Sequence, residues 1–462
     1  MLNICFILTH SLSILMFIKI WKWRALAHPG FYFSGIWLVS VISEWYLLSS
    51  GEAVLVSQHL IDELNVYAAF TSLAFLLFAF IGHKHANRNI RINIVKDKKK
   101  YLSYLYLCLF VVMLDFIIKG ATFSFGLNRL ASTGDMAHMT RIASPIDAVF
   151  SILTSPIIYF TIFAGIELAK YFTKSSQFSF SKLSIAVPFI ITFINALIIG
   201  GRNPVAISIK HYLWGLGLGL STYLITKRVK RRIIRFVFVV FVIFSLFTTV
   251  VAIQRQQVFG FSNTEVRGEN KIISAFSGIM DYMSAHYWGY QLRRNDFSKG
   301  DNLQYGVCTF YGLGNLSIPF SGLMGIKGNL WEWVGVKYKP NEVYMSGVEG
   351  FYTTSTIYAL LVRDFGVNGT YFVIIFLVLV TQLIFIRLFR HEHNTALSLI
   401  PIIIVLTYWS SSNFNSGMPD LQPLLIGALL FDLTQNNYSR KRYAIKRNYY
   451  PDQICNQTRT LG

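Results

Sequence analysis

Long apolar runs separated by short polar segments are the dominant pattern along this chain of 462 residues. Several runs reach about 18 residues or more, the length that a helix needs to cross a hydrocarbon core of roughly 30 Å. The pattern predicts an all-α, polytopic integral membrane protein with about eleven transmembrane helices, in a range of about ten to twelve. The predicted spans are residues 3–19, 31–49, 65–82, 101–119, 148–168, 184–200, 204–226, 233–252, 366–388, 396–412 and 420–434.

One polar interval is much longer than the others. Residues 253–365 lie between two apolar runs and hold ten Lys or Arg, together with many Tyr, Trp, Gly and Asn. A loop of this length in a membrane protein usually carries function. We therefore predict a single membrane domain over residues 1–462, with the interval 253–365 inserted as one large loop domain outside the membrane.

The composition changes this picture little, because 53% of the residues are hydrophobic and only 14% are charged. These fractions exclude a soluble multidomain enzyme. The net charge of +20 is compatible with nucleic-acid binding, but the Lys and Arg cluster in short loops between apolar runs, as in cytoplasmic loops of membrane proteins. We predict no nucleic-acid partner. The four cysteines are scattered without metal-ligand spacing, so no metal site is expected.

The distribution of basic residues predicts the orientation. Residues 19–30, 83–100, 169–183, 226–235, 387–395 and the tail from 435 carry 27 Lys and Arg. The alternate loops, residues 50–64, 119–147, 201–203, 253–365 and 413–419, carry 14, most of them in the long interval, which the positive-inside rule discounts. The first set is predicted to be cytoplasmic, with the basic tail 435–462 held at anionic membrane lipid. The N-terminus and the long interval are then outside.

A short turn on the outer side carries a charge in an unusual place. Residues 200–204 read Gly-Gly-Arg-Asn-Pro, and Lys210 and His211 follow within the next apolar run. Lys210 lies about 9 Å along the helix axis from Pro204, which is inside the bilayer. Two interpretations stay open: Arg202 and Lys210 reach out to lipid phosphates, or they bind an anionic group of a membrane-held substrate. The helix start at Pro204 also favours an anion.

Two motifs and the long loop between them resemble those of a known family. The first motif is the Gly-Gly-Arg-Asn-Pro turn, and the second is Tyr-Ala-Leu-Leu-Val-Arg-Asp-Phe-Gly-Val-Asn-Gly at residues 358–369. The chain resembles the Wzy-type O-antigen polymerases of bacterial inner membranes, in which similar motifs occur around an Arg-bearing periplasmic loop. Arg267 and Gly278 also have an Arg-to-Gly spacing described for some members, whereas Leu213 stands at the matching position after Arg202.

The resemblance implies a GT-C-like, metal-independent membrane glycosyltransferase in the bacterial inner (cytoplasmic) membrane. Such an enzyme joins undecaprenyl-pyrophosphate-linked oligosaccharide repeat units on the periplasmic face, with membrane lipid around it and a chain-length regulator and a flippase as candidate partner proteins. The chain has no Walker motif, dinucleotide fingerprint or His-Glu-x-x-His, and no cofactor is expected. Two alternatives remain: an O-antigen ligase or related lipid-linked glycan transferase, and a lipid-linked oligosaccharide flippase.

The resemblance and the chemistry together define the candidate residues. Fixed cations are needed where a pyrophosphate leaves, and the guanidinium of Arg engages phosphate oxygens through two hydrogen bonds. The candidates for binding pyrophosphate or glycan are Arg202, Lys210, His211, Arg267, Arg293, Arg294 and Arg363. An acceptor hydroxyl must lose its proton to a carboxylate or His within hydrogen-bond reach. The candidate catalytic bases are, in order, Asp364, Glu349 and His286.

The predicted orientation can be tested with reporter fusions. A phosphatase that is active only outside the cytoplasm should be active when fused near Asn302 and inactive when fused near Lys98, because the basic loops stay in the cytoplasm. Activity of each fusion, normalised to its protein level, is the measurement. The reverse pattern would overturn the orientation.

Overall fold

A computed structural model of the chain describes the residues on which the following account rests. They are residues 2–49, 57–85, 91–122, 145–173, 182–199, 203–220, 226–227, 229–240, 242, 280, 283–284, 286–287, 289–291, 294, 303, 305–306, 308–314, 356–411 and 421–449.

Helices make up most of this described part. They are α1 (Leu2–Trp21), α2 (Pro29–Ser49), α3 (Gln58–Gly82), α4 (Lys98–Thr122), α5 (Pro145–Thr154), α6 (Ile157–Thr173), α7 (Lys182–Ile199), α8 (Asn203–Leu220), α9 (residues 229–240), α10 (Ile357–Arg390), α11 (Ile400–Ser410) and α12 (Leu421–Tyr449). Short 3-10 helices cover Lys22–Ala27, His83–His85, Tyr311–Gly314 and Ala396–Leu399. Two short strands, β1 (Arg91–Ile92) and β2 (Glu392–His393), pair in parallel.

The prediction of an all-α membrane protein is confirmed at this level. Five helical stretches are long and apolar enough to cross a membrane: Leu2–Ala27, Gln58–Gly82, Lys98–Ile118, Ala148–Thr173 and Ile357–Arg390. Shorter apolar helices cover Leu183–Ala196, Ala396–Ser410 and Leu421–Gln435. Large apolar side chains such as Leu15, Phe110 and Phe372 are exposed on the outside of the bundle. An apolar outer surface is suited to contact with the hydrocarbon tails of lipids. The total of eleven spans stays a prediction.

Some boundaries differ from the predicted spans for local reasons. The predicted span 148–168 consists of α5 and α6, separated at Ser155 and Pro156, because proline lacks an N–H and clashes with the preceding turn. Helix α3 begins at Gln58, well before the apolar run, since its first turns are polar but still helical. Helix α10 likewise begins at Ile357, upstream of the predicted start at 366.

Helices α6 and α8 cross at glycines, which fixes the position of α8. A Cβ atom on Gly215 would collide with the backbone carbonyl of Ile162, and one on Gly165 would collide with the carbonyl of Tyr212. Membrane helices without a side chain at the crossing can pack backbone against backbone. The indole of Trp214 then donates to the carbonyl of Ala27 at 2.9 Å. These contacts fix the helix that carries Lys210.

Segments from three of the basic loops contact one another. Strands β1 and β2 join residues 91–92 to residues 392–393. The side-chain oxygen of Gln435 accepts from the backbone N–H groups of Lys96 and Asp97, at 3.0 and 2.9 Å. Asp432 accepts from the N–H groups of Ala396 and Leu397, at 2.7 and 3.2 Å. These contacts bring together segments of three loops that the distribution of basic residues predicts to lie on the same side of the membrane.

Candidate functional site

Helix α10 is interrupted at Gly366, beside the predicted base Asp364. Gly366 has φ +71° and ψ 173°, a conformation that residues with a Cβ avoid. The interruption leaves the backbone carbonyl of Asp364 without its partner in the helix. That carbonyl accepts instead from the N–H of Tyr305, at 3.1 Å. The glycine of the Asp-Phe-Gly motif therefore creates a place where a distant segment docks on the helix.

The carboxylate of Asp364 holds the same segment. It has no exposed surface and accepts from the N–H of Cys308 at 3.1 Å and from the N–H of Thr309 at 2.7 Å. The hydroxyl of Thr309 donates to it as well, at 2.6 Å. These three donors engage both carboxylate oxygens. Asp364 thus anchors the turn that leads into the 3-10 helix Tyr311–Gly314, a role that the sequence did not predict.

Tyrosines from three helices surround the interruption. The hydroxyl of Tyr67 on α3 donates to the carbonyl of Val367 at 3.2 Å, and its ring stacks on Tyr358 with 5.6 Å between centroids. The hydroxyl of Tyr358 donates to Thr71 at 2.7 Å. Tyr408 on α11 is buried and lies close enough to Asp364 for the carboxylate to act on its hydroxyl electrostatically. The interruption is therefore lined by groups that can form hydrogen bonds.

Lys210 lies on α8 at the end of α11. Its ammonium donates to the hydroxyls of Ser410 and Ser411, at 3.0 and 2.8 Å, and the side chain is half-buried. Among the residues that the structure describes, no carboxylate forms an ion pair with it. The neighbouring His211 is almost fully buried. Lys210 is therefore a cation held by neutral oxygens.

His286 lies deep among aromatic rings. Its ring is fully buried, and the ring centroid lies 5.1 Å from that of Trp37 and 4.2 Å from that of Tyr287. Trp37 is about 18 Å along α2 from the helix end at Ser49. The part of the long interval around His286 therefore packs against the predicted membrane helices, because its apolar side chains are buried there.

Arg294 is held near the start of α3. Its Nε lies 3.3 Å from a carboxylate oxygen of Glu63, and the hydroxyl of Tyr290 donates to the same oxygen at 2.6 Å. Burial, and then the charge of Glu63, raise the pKa of Tyr290 above its ordinary value, so that the hydroxyl stays protonated and donates. Arg294 is thus partnered by a carboxylate that the sequence reasoning did not single out.

The remaining predicted residues divide into two groups. Arg363 is half-buried and directly precedes Asp364, whose hydrogen bonds go to residues 308–309. Arg202, Arg267, Arg293 and Glu349 lie outside the described residues.

The structure brings two of the predicted residues to one helix end. Lys210 contacts Ser410 and Ser411, which end α11, and Tyr408 lies in the last turn of the same helix, within electrostatic range of Asp364. We call the group Lys210, Ser410, Ser411, Tyr408 and Asp364 the α11-end site. Residues 408–412 read Tyr-Trp-Ser-Ser-Ser and lie at the end of an apolar run. Their hydroxyl side chains are the sequence signal that could have identified Tyr408, Ser410 and Ser411 as members of this site.

The α11-end site combines a cation with several hydroxyl groups and a satisfied carboxylate. Such a combination suits a ligand that carries a phosphate and sugar hydroxyls, because Lys binds phosphate as a point charge and hydroxyls both donate and accept. Within the described ranges, no group of three or more His, Cys, Asp or Glu side chains is arranged to hold a metal ion.

The chain belongs by its architecture to the polytopic helical membrane proteins. Comparison with family models, with curated proteins and with solved structures finds no match. Its function therefore has to be argued from the site itself.

The anchoring role of Asp364 predicts the effect of Asp364→Asn. An amide of the same shape has one acceptor oxygen, and its NH₂ faces a backbone N–H, so the change should cost about 1–3 kcal/mol of stability. Hydrogen exchange of residues 305–314 should accelerate. Thr309→Val is the matched control, since it removes one of the three donors and should have a smaller effect. Exchange in Asp364→Asn as slow as in the wild type would contradict the anchoring role.

Proposed function

We propose that the chain is an O-antigen polymerase, a metal-independent, GT-C-like glycosyltransferase of the bacterial inner membrane. It joins undecaprenyl-pyrophosphate-linked oligosaccharide repeat units on the periplasmic face. The observation that carries this proposal is Lys210, a cation inside the bundle whose described partners are the hydroxyls of Ser410 and Ser411. The resemblance of residues 200–204 and 358–369 to the polymerase motifs supports it.

An uncompensated cation is costly at this depth. Placing Lys in the middle of a membrane helix costs about 2.5–3.5 kcal/mol in insertion experiments, so such residues usually serve a function. Two serine hydroxyls stabilise the ammonium without cancelling its charge. Arg202 directly precedes the first residue of α8, and the start of a helix is itself electropositive. The outer half of α8 therefore favours an anion such as a lipid pyrophosphate.

The predicted orientation supports the proposal. The basic segments that contact one another include residues 91–97 and 391–397, which we assign to the cytoplasm. Lys210 follows the start of α8 by about 10 Å, in the outer half of the bundle. The α11-end site then faces the side of the long interval 253–365, as an enzyme acting on the periplasmic face requires.

The reaction assigns a role to each group. A hydroxyl oxygen of the acceptor sugar bonds to the anomeric carbon of the donor glycan, and the bond from that carbon to the pyrophosphate oxygen breaks. Lys210 and Arg202 stabilise the negative charge that develops on the departing undecaprenyl pyrophosphate. Arg267, Arg293 and Arg363 are further candidates for this contact. Arg294 is engaged by Glu63, which favours a supporting role.

The proton of the acceptor hydroxyl goes to a base. The three donors on Asp364 favour a positioning role for its carboxylate, since its oxygens are already engaged. His286 is enclosed by Trp37 and Tyr287 and has no exposed surface, which disfavours it as the base. Glu349 is therefore our first candidate for the base.

A strain that lacks the gene tests the proposal through its surface polysaccharide. Loss of the polymer ladder, with a single capped repeat unit retained, is the expected result. Loss of every attached repeat unit would identify a ligase instead. Repeat units that stay on the cytoplasmic side would identify a flippase. An unchanged ladder would contradict all three functions.

The same strain, supplied with variants, tests Lys210. Lys210→Met should lower polymer formation by about tenfold or more, because a hydrogen bond to a charged group contributes roughly 1.5–3 kcal/mol. Lys210→Arg should restore part of the activity by keeping the charge. Lys19→Met is the matched control, since Lys19 is exposed near the end of α1. A full ladder with Lys210→Met, at normal protein level, would remove Lys210 from the site.

A further inference from the structure

Tyr408 has a buried hydroxyl that no described residue satisfies. The residue is 1% exposed, and in the described part of the chain its hydroxyl has no hydrogen-bond partner. Buried polar groups in folded proteins are nearly always hydrogen-bonded, and an exception needs an explanation. Neither the fold nor the proposed role of Lys210 supplies one for Tyr408.

The surroundings of Tyr408 narrow the explanation. The hydroxyl of Tyr358 is already donated to Thr71, and the carboxylate of Asp364 already accepts three hydrogen bonds. The adjacent Trp409 donates its indole N–H to Thr381 on α10 and is satisfied there. These groups around Tyr408 are thus engaged with other residues, and no described residue partners its hydroxyl. The hydroxyl can therefore take a partner from outside the chain.

The position of Tyr408 on α11 indicates where such a partner lies. Tyr408 lies in the last turn of α11, and Ser410 and Ser411, which hold Lys210, are two and three residues further on at the end of this helix. A ligand whose phosphate is bound at Lys210 therefore has its next chemical group within reach of Tyr408. In a glycan linked to a lipid pyrophosphate, that next group is a sugar.

We propose that the Tyr408 hydroxyl contacts the sugar that is attached to the pyrophosphate, and that it contributes to the choice of this sugar. This inference rests on the proposed function. A phenol hydroxyl can donate one hydrogen bond and accept another, which suits a sugar hydroxyl or an acetamido group. The nearby charge of Asp364 disfavours a second anion at this position. The phosphate is thus bound at Lys210 and the sugar at Tyr408.

Tyr408→Phe tests the inference, because it removes the hydroxyl and keeps the ring. The substrate is the lipid-linked repeat unit extracted from the strain that lacks the gene. We expect its KM to rise about tenfold, in keeping with the loss of one hydrogen bond. Binding of undecaprenyl pyrophosphate without sugar should not change. The Tm should stay equal or rise, since removing an unsatisfied polar group costs the folded protein nothing.

Tyr358→Phe is the matched control for stability. Its hydroxyl has a partner in Thr71, so the same change there should lower the Tm. An unchanged KM in Tyr408→Phe would overturn the inference, as would a Tm that falls as far as in Tyr358→Phe. Lys210→Met distinguishes a failure of this inference from a failure of the proposed function. If Lys210→Met still binds undecaprenyl pyrophosphate like the wild type, the proposed function fails, whatever the result for Tyr408→Phe.

Discussion

The burial of the Asp364 carboxylate is the constraint on which the part of the bundle around the interruption of α10 depends. A buried carboxylate needs hydrogen bonds from its surroundings, and residues 308–309 supply all three of those observed. The interruption at Gly366 turns the backbone so that the carbonyl of Asp364 binds the same segment. The helix, its interruption and the docked turn therefore stabilise one another. This arrangement holds residues 305–306 and 308–314 against α10.

Lys210 differs from Asp364 in how its charge is balanced. The anion is fully satisfied by donors of the protein, whereas the cation contacts two neutral hydroxyls. In a low dielectric, such a difference favours binding of an outside anion over an outside cation. Tyr408 adds a buried hydroxyl that has no hydrogen-bond partner among the described residues. The ligand that we propose for these three residues carries a phosphate at one point and a hydrogen-bonding group beside it.

The sequence predicted the features that depend on local composition. The apolar runs coincide with helices, and Lys210 is the single Lys or Arg that lies away from the ends of the predicted spans. Long-range contacts could not be predicted in this way. Asp364 lies 55 positions from Thr309, and hydropathy contains no information about such pairs. The serines that hold Lys210, and the packing of His286 against Trp37, were missed for the same reason.

The central claim is that this chain, without a metal, transfers a glycan from one lipid pyrophosphate to another lipid-linked unit. The most direct measurement uses the purified full-length protein in lipid vesicles, supplied with the lipid-linked repeat unit and a chelator of divalent metals. The account predicts a ladder of products in which each added repeat unit releases one undecaprenyl pyrophosphate. Absence of the ladder, or its loss on adding the chelator, would contradict the account.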